Sequence, residues 1–180
     1  MDQIAFFWVG KNIEIPSFLV KSINHAYDKK NVKIFHLTDL YTPQIYGVHE
    51  TIRQKLPEEI MLARLTSFLT FPHDKNMTYF CDADSLFLNQ LNLQNLEEDI
   101  YLIKRPEDED WLINNKQYTD IYPEFKDKMF SEVMPYMFGG MAIRNGRNFF
   151  EDIIMIIIPA MIIGTDKIIP IVKKVYINPT

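Results

Sequence analysis

Two aspartates one residue apart, Asp82 and Asp84, are the side chains of this sequence best placed to do chemistry. They close the apolar run Tyr79-Phe80-Cys81 and are followed at once by Leu86-Phe87-Leu88. In an extended backbone, side chains at i and i+2 point the same way, so both carboxylates would converge on one point. Hard oxygen donors with a shared aim suit Mn²⁺ or Mg²⁺, which take one or two carboxylates and complete their shells with water and phosphate. The apolar flanks read as a buried strand that delivers the pair to the carboxyl edge of a sheet, where open α/β sheets bind ligands. From the residues alone, a pair of solvated turn aspartates is the competing reading.

Three further features could carry chemistry. Gly139 and Gly140 interrupt the apolar run Tyr136 to Ile143; a glycine pair in a strand pattern signals a bulge or a close approach of backbone to a ligand. The acidic stretch Arg105 to Asp120 contains Glu107-Asp108-Glu109-Asp110 and then Trp111. It reads either as a solvated surface loop or as a lid or acceptor-binding loop with Trp111 as a stacking platform. Cys81 is the single cysteine, which excludes an intrachain disulfide and fits a reducing, cytoplasmic setting. In an apolar strand it reads as a small buried packing group rather than a nucleophile.

The elements that must position these groups follow from hydrophobic patterning. Ile4 to Val9 reads as a buried strand, and Pro16 as the first residue of a helix carrying Phe18, Leu19, Ile23 and Ala26. Val32 to Leu37 is a second strand and Thr38 to Val48 a loop punctuated by Pro43 and Gly47. Pro57 opens a second helix with Ile60, Leu65 and Phe68 on its apolar face. Met77 to Cys81 is the third strand, Leu91 to Leu96 a short helix, and Ile100 to Ile103 a fourth strand. Strands alternating with helices imply a mostly parallel sheet with right-handed crossovers. At 180 residues, with 47% apolar and 24% charged side chains, the chain reads as one globular domain. A net charge of −5 without a basic block disfavours nucleic acid as a partner. Ile153 to Ile163 is almost wholly apolar but too short to span a bilayer. It reads as a buried helix, with peripheral membrane contact aided by Lys167, Lys173 and Lys174 as the alternative.

These residues together resemble the nucleotide-sugar-dependent glycosyltransferases of the GT-A fold. The closest patterns are glycosyltransferase family 8, the glycogenin type, and the family described as a sugar-binding region containing the DXD motif. Tyr79 to Leu88 resembles their Asp-x-Asp signature, and Phe7-Trp8-Val9-Gly10 their Trp-hydrophobic-Gly turn after the first strand. Arg64 matches a basic residue on the helix before the signature. Phe138-Gly139-Gly140-Met141 resembles their Phe-Asn-Ser-Gly strand, and Gly164-Thr165-Asp166-Lys167 their Gly-Asp-Gln motif.

The resemblance implies an α/β GT-A-like single domain over residues 1–180 with a Rossmann-like nucleotide-binding half. It implies transfer of a sugar from a nucleoside-diphosphate sugar, a UDP-sugar, to a glycan or lipid-linked acceptor, with Mn²⁺ or Mg²⁺ as cofactor. Phe7, Trp8 and Val9 would receive the nucleotide, Trp8 stacking on the base. Asp39 would bond ribose or base, and Arg64 would reach sugar or phosphate or brace the carboxylates. Asp82 and Asp84 would hold the ion, with Ala83 between them in the donor site. Gly139 and Gly140 would admit the donor sugar, and Asp166 would bond donor or acceptor hydroxyls. Family 8 also takes a metal ligand from a histidine near its C-terminus, whereas the last histidine here is His73. That departure leaves three expectations open: a domain short of a C-terminal segment, a minimal enzyme, or a catalytically weak donor-binding module. Asp82-Ala83-Asp84-Ser85-Leu86 also resembles, superficially, the first motif of haloacid-dehalogenase-like phosphatases.

Overall fold

A computed structural model describes residues 1–28, 30–105, 110–114, 119, 123–133 and 136–163. The chain divides into two compact units, Met1–Ile103 with Phe138–Asn148, and Lys104–Met137 with Phe149–Thr180.

The first unit is built on a six-stranded sheet of order β3-β2-β1-β4-β6-β5. Its strands are β1 (Asp2–Phe7), β2 (Val32–Thr38), β3 (Glu50–Arg53), β4 (Met77–Cys81), β5 (Ile100–Lys104) and β6 (Tyr136–Arg144). Strands β3, β2, β1 and β4 run parallel, and β6 returns antiparallel to β4. The inner parallel strands β1, β2 and β4 are buried on both faces, which is why they read as near-continuous apolar runs.

Helices α1 (Glu14–Ala26) and α2 (Ile60–Thr70) follow β1 and β3. On α1, Leu19, Val20 and Ile23 are buried and join Ile4, Phe6 and Ile34 in one core cluster. On α2, Phe68 packs at a tilt 4.8 Å from Phe80, and Phe71 just beyond the helix lies 5.4 Å from the same ring.

Helix starts differ from the proline-based reading for a local reason. Asn12 Oδ1 accepts the Glu14 amide at 2.9 Å, so α1 begins two residues before Pro16, which still lies in the first turn, where no intrahelical donor is required. At α2 the Glu59 carboxylate accepts the Met61 and Leu62 amides, and the helix starts there rather than at Pro57. Strand β3, inside a stretch without apolar alternation, had no sequence signal. Leu91 to Leu96 holds a 3₁₀ turn, Leu93–Asn95.

In the second unit Leu112 bridges Met129 antiparallel, and the short helix α3 (Phe130–Val133) follows. Helix α4 (Arg147–Ile163) covers the apolar run, with Ile153 buried and Met155 exposed. Among the described residues no helix is long and apolar enough to cross a membrane.

Candidate donor site

Growth of the sheet changes direction at β1. Strand β2 pairs with one side of it and β4 with the other, Phe6 lying opposite Cys81. Such a switch point opens a crevice at the carboxyl ends of the strands. Phe7-Trp8-Val9 leaves β1 there and Asp82-Ala83-Asp84 leaves β4. The two tripeptides, with Arg64 from α2, line a cleft of about 380 Å³ whose wall is completed by Ile15, Ile60 and Met61. None of the last three was read as a site residue in the sequence, where Ile60 stood only as part of a helix's apolar face. Their signal was positional, since they sit at the starts of the helices that follow parallel strands and so face the same sheet edge.

The aspartates are not on an extended strand. Strand β4 ends at Cys81, and the Ser85 amide donates back to the Asp82 carbonyl at 3.2 Å, so a turn rather than i, i+2 alternation presents the pair. The turn also separates their environments. Arg64 Nη2 lies 2.6 Å from Asp82 Oδ1, the two side chains 17% and 39% exposed. Ala83 between them is buried. Asp84 is exposed and makes no hydrogen bond or ion pair among the described residues. Arg64 therefore braces one carboxylate of the pair and leaves the other open to the cleft.

No group of three or more His, Cys, Asp or Glu converges as a metal centre among the described residues. The donor set of Asp82 and Asp84 is that of an ion sharing its shell with phosphate and water, and it fits Mg²⁺ or Mn²⁺ on those terms.

The glycine pair is not a bulge. The ladder from Met77↔Arg144 to Cys81↔Gly140 runs without an extra residue. Close approach is the reason for both glycines, and what approaches is the chain itself. A Cβ on Gly139 would stand 2.6 Å from Asp82 Oδ2, and one on Gly140 would collide with the Tyr79 hydroxyl and the Ile103 side chain. The Gly139 carbonyl also accepts the Asp82 amide at 2.9 Å. Asp82 is thus seated by Gly139 and held by Arg64. Gly139→Ala should displace a half-exposed carboxylate, weakening Mn²⁺-dependent nucleotide binding several-fold at nearly unchanged stability. Gly140→Ala overpacks a confined spot and should cost about 1–3 kcal/mol in denaturant unfolding.

Trp8 is fixed at every polar atom. Its amide donates to Leu37 O at 3.2 Å and its indole Nε1 to Asn12 O at 2.9 Å. Its carbonyl accepts from Thr38 Oγ1 at 2.7 Å and from His36 Nε2 at 3.1 Å. What the half-buried indole still offers the cleft is apolar ring surface. Asp39 does not line this cleft. Its Oδ1 accepts the Tyr41 and Thr42 amides, and Thr42 Oγ1 accepts the Gly10 amide. Asp39 so ties the loop after β2 to the loop after β1. Burial would raise its carboxyl pKa, but those hydrogen bonds and the Arg53 charge outweigh it and hold the group below the ordinary range. Burial, followed by the nearby Asp82 charge, pushes the Cys81 thiol far up, so Cys81 stays protonated and packs. Asp166 and the Gly164 to Lys167 motif, with Lys173 and Lys174, lie outside the described residues.

No protein-family model matches the chain, and no curated protein sequence does. Solved structures do. Over 97% of its length the chain superposes on the galactosyltransferase LgtC, solved in complex with donor and acceptor sugar analogs, at a TM-score of 0.61 and 14% identity. The fold is the GT-A fold. The glycosyltransferase GlyE of Streptococcus pneumoniae TIGR4 matches over 98% of the chain at a TM-score of 0.56 and 13% identity. The chain spans 70% of the LgtC structure and 44% of the GlyE structure. Identities this low establish the architecture, an α/β GT-A sheet flanked by helices, and what the cleft does is argued from its own residues.

Proposed function

We propose that the chain carries the donor site of a metal-dependent glycosyltransferase that moves a sugar from a nucleoside-diphosphate sugar, a UDP-sugar, to a hydroxyl of a glycan or lipid-linked acceptor. One observation carries this reading. The switch-point cleft brings an aromatic surface (Trp8), a guanidinium (Arg64) and two carboxylates (Asp82, Asp84) together at the carboxyl ends of β1 and β4. These are the groups a base, a diphosphate and its counter-ion require.

The geometry supports one role for each group. Trp8 and Phe7 offer apolar surface to a planar base. Asp82, seated on Gly139 and paired with Arg64, and Asp84, open to the cleft, would hold Mn²⁺ or Mg²⁺ against the diphosphate. When bound, the ion neutralises the charge that develops on the leaving phosphate. Arg64, whose guanidinium is a charged donor fork, adds positive potential on the same side. The incomplete donor set favours a second reading, a catalytically weak module that binds donor without turnover. The phosphatase resemblance finds no support in a GT-A sheet.

Isothermal calorimetry of UDP, GDP and their sugars, with Mn²⁺ and with chelator, tests the proposal. Binding of one nucleotide class that vanishes with chelator is the expected result. Absence of binding under every condition overturns it. Release of sugar or transfer to lactose by a chain that binds donor separates the enzyme from the binding module.

A further inference from the structure

The second unit holds an aromatic platform that the donor cleft does not use. Trp111 and Phe130 stack with centroids 4.4 Å apart and planes 14° from parallel. The pair is tied together by backbone. Phe130 donates its amide to Trp111 O at 2.8 Å, and Ile113 donates to Lys128 O at 2.9 Å. Asp110 clamps the same turn, accepting the Trp111 amide at 3.1 Å, the Ser131 amide at 2.8 Å and the Ser131 hydroxyl. The Arg105 guanidinium lies 4.4 Å from the Phe130 centroid and 5.4 Å from that of Trp111. On the outer face of Phe130 it would be nearly two stacking distances from Trp111. It therefore sits at the seam beside both rings and leaves the outer face of the indole uncovered by either. Trp111 is 51% exposed, and its indole N–H donates to no group among the described residues.

Tryptophan held for packing alone is normally largely buried. Here a large ring is immobilised with one face toward solvent, and its own N–H stands at the rim. A pyranose is the complement of that surface. One face of the ring is a patch of C–H groups, and its perimeter carries hydroxyls that accept from N–H donors. Because the indole is already ordered by Phe130 and Asp110, binding would not have to immobilise it. We propose that Trp111 is a carbohydrate subsite, on which a pyranose stacks while one of its hydroxyls accepts from the indole N–H. Sugar binding at this platform does not rest on the transferase reading.

Saturation-transfer NMR and Trp fluorescence on the intact chain test this with lactose, maltose, cellobiose and N-acetyllactosamine, without nucleotide or metal. At least one sugar should bind. Its affinity should fall at least tenfold in Trp111→Ala and by less in Trp111→Phe, which keeps a stacking face and loses the N–H, with both variants melting as wild type does. Mn²⁺-dependent nucleotide binding, measured separately, should be unchanged in both. No binding by any of the four sugars, or equal binding in Trp111→Ala, overturns the subsite. Loss of nucleotide rather than sugar binding in Trp111→Ala also overturns it and assigns the platform to a base. Sugar binding in a protein that binds no nucleotide keeps the subsite and removes the transferase reading.

Discussion

Asp84→Ala should lose metal-dependent nucleotide affinity by on the order of a hundredfold, about 2.8 kcal/mol, while its unfolding free energy stays within about 0.5 kcal/mol of wild type. The two halves of that expectation come from the same fact. Asp84 is exposed and makes no hydrogen bond or ion pair among the described residues, so the fold gains little from it, and its open carboxylate is left to serve a ligand. Asp82 should behave differently. Asp82→Ala removes a metal ligand and also the partner of Arg64, 2.6 Å away. It should weaken binding comparably and cost about 1 kcal/mol of stability besides, the pair being partly exposed and screened. Calorimetry in Mn²⁺ and urea unfolding of the two variants, side by side, check this. Equal stability losses at both positions would mean that Asp84 has a structural role. Unchanged binding in Asp84→Ala would remove the metal from the proposal.

That asymmetry was not legible in the sequence. Two aspartates at i and i+2 look equivalent in a strand, and only the turn beginning at Asp82 separates them. What the sequence did carry was the sheet's parallel half. Strands buried on both faces must be apolar throughout, so β1, β2 and β4 stood out as runs, and the helices between them followed from spacing. Strand β3, Glu50-Thr51-Ile52-Arg53 at the sheet edge, is half polar because one side of it meets no neighbour. The glycine pair could be flagged but not explained. A sequence shows that backbone must come close to something; it does not show that the something is Asp82 and Tyr79. Arg64 could be placed on a helix before the aspartates, whereas its choice of Asp82 over solvent depends on the packing of α2 against β4.

Acid should destabilise the fold through a residue no motif pointed to. His36 is fully buried, stacked 5.0 Å from Phe6, with Nε2 on the Trp8 carbonyl and Nδ1 without a partner among the described residues. A carbonyl partner makes Nε2 the protonated nitrogen, so a second proton would go to Nδ1, where nothing accepts it. Burial, with help from the Arg53 charge and against the Trp8 hydrogen bond and Asp39, pulls the imidazole pKa from 6.5 down to about 4. The neutral ring thus stabilises the fold fully above pH 6.5. Below that the unfolded chain takes up a proton that the folded chain refuses, and the contribution drains away until about pH 4. Its full size is about 3 kcal/mol. His36→Phe keeps the stack on Phe6 and cannot titrate, so its stability should fall less than that of wild type over this window, by about the same 3 kcal/mol. Asp39 and Asp74, held below the ordinary carboxylate range largely by hydrogen bonds, and half-buried His73, whose pKa is also lowered, titrate in both proteins and cancel in the comparison. Because the folded chain refuses the proton down to about pH 4, His36 should leave the cleft end of β1 unchanged over this window while the global stability falls.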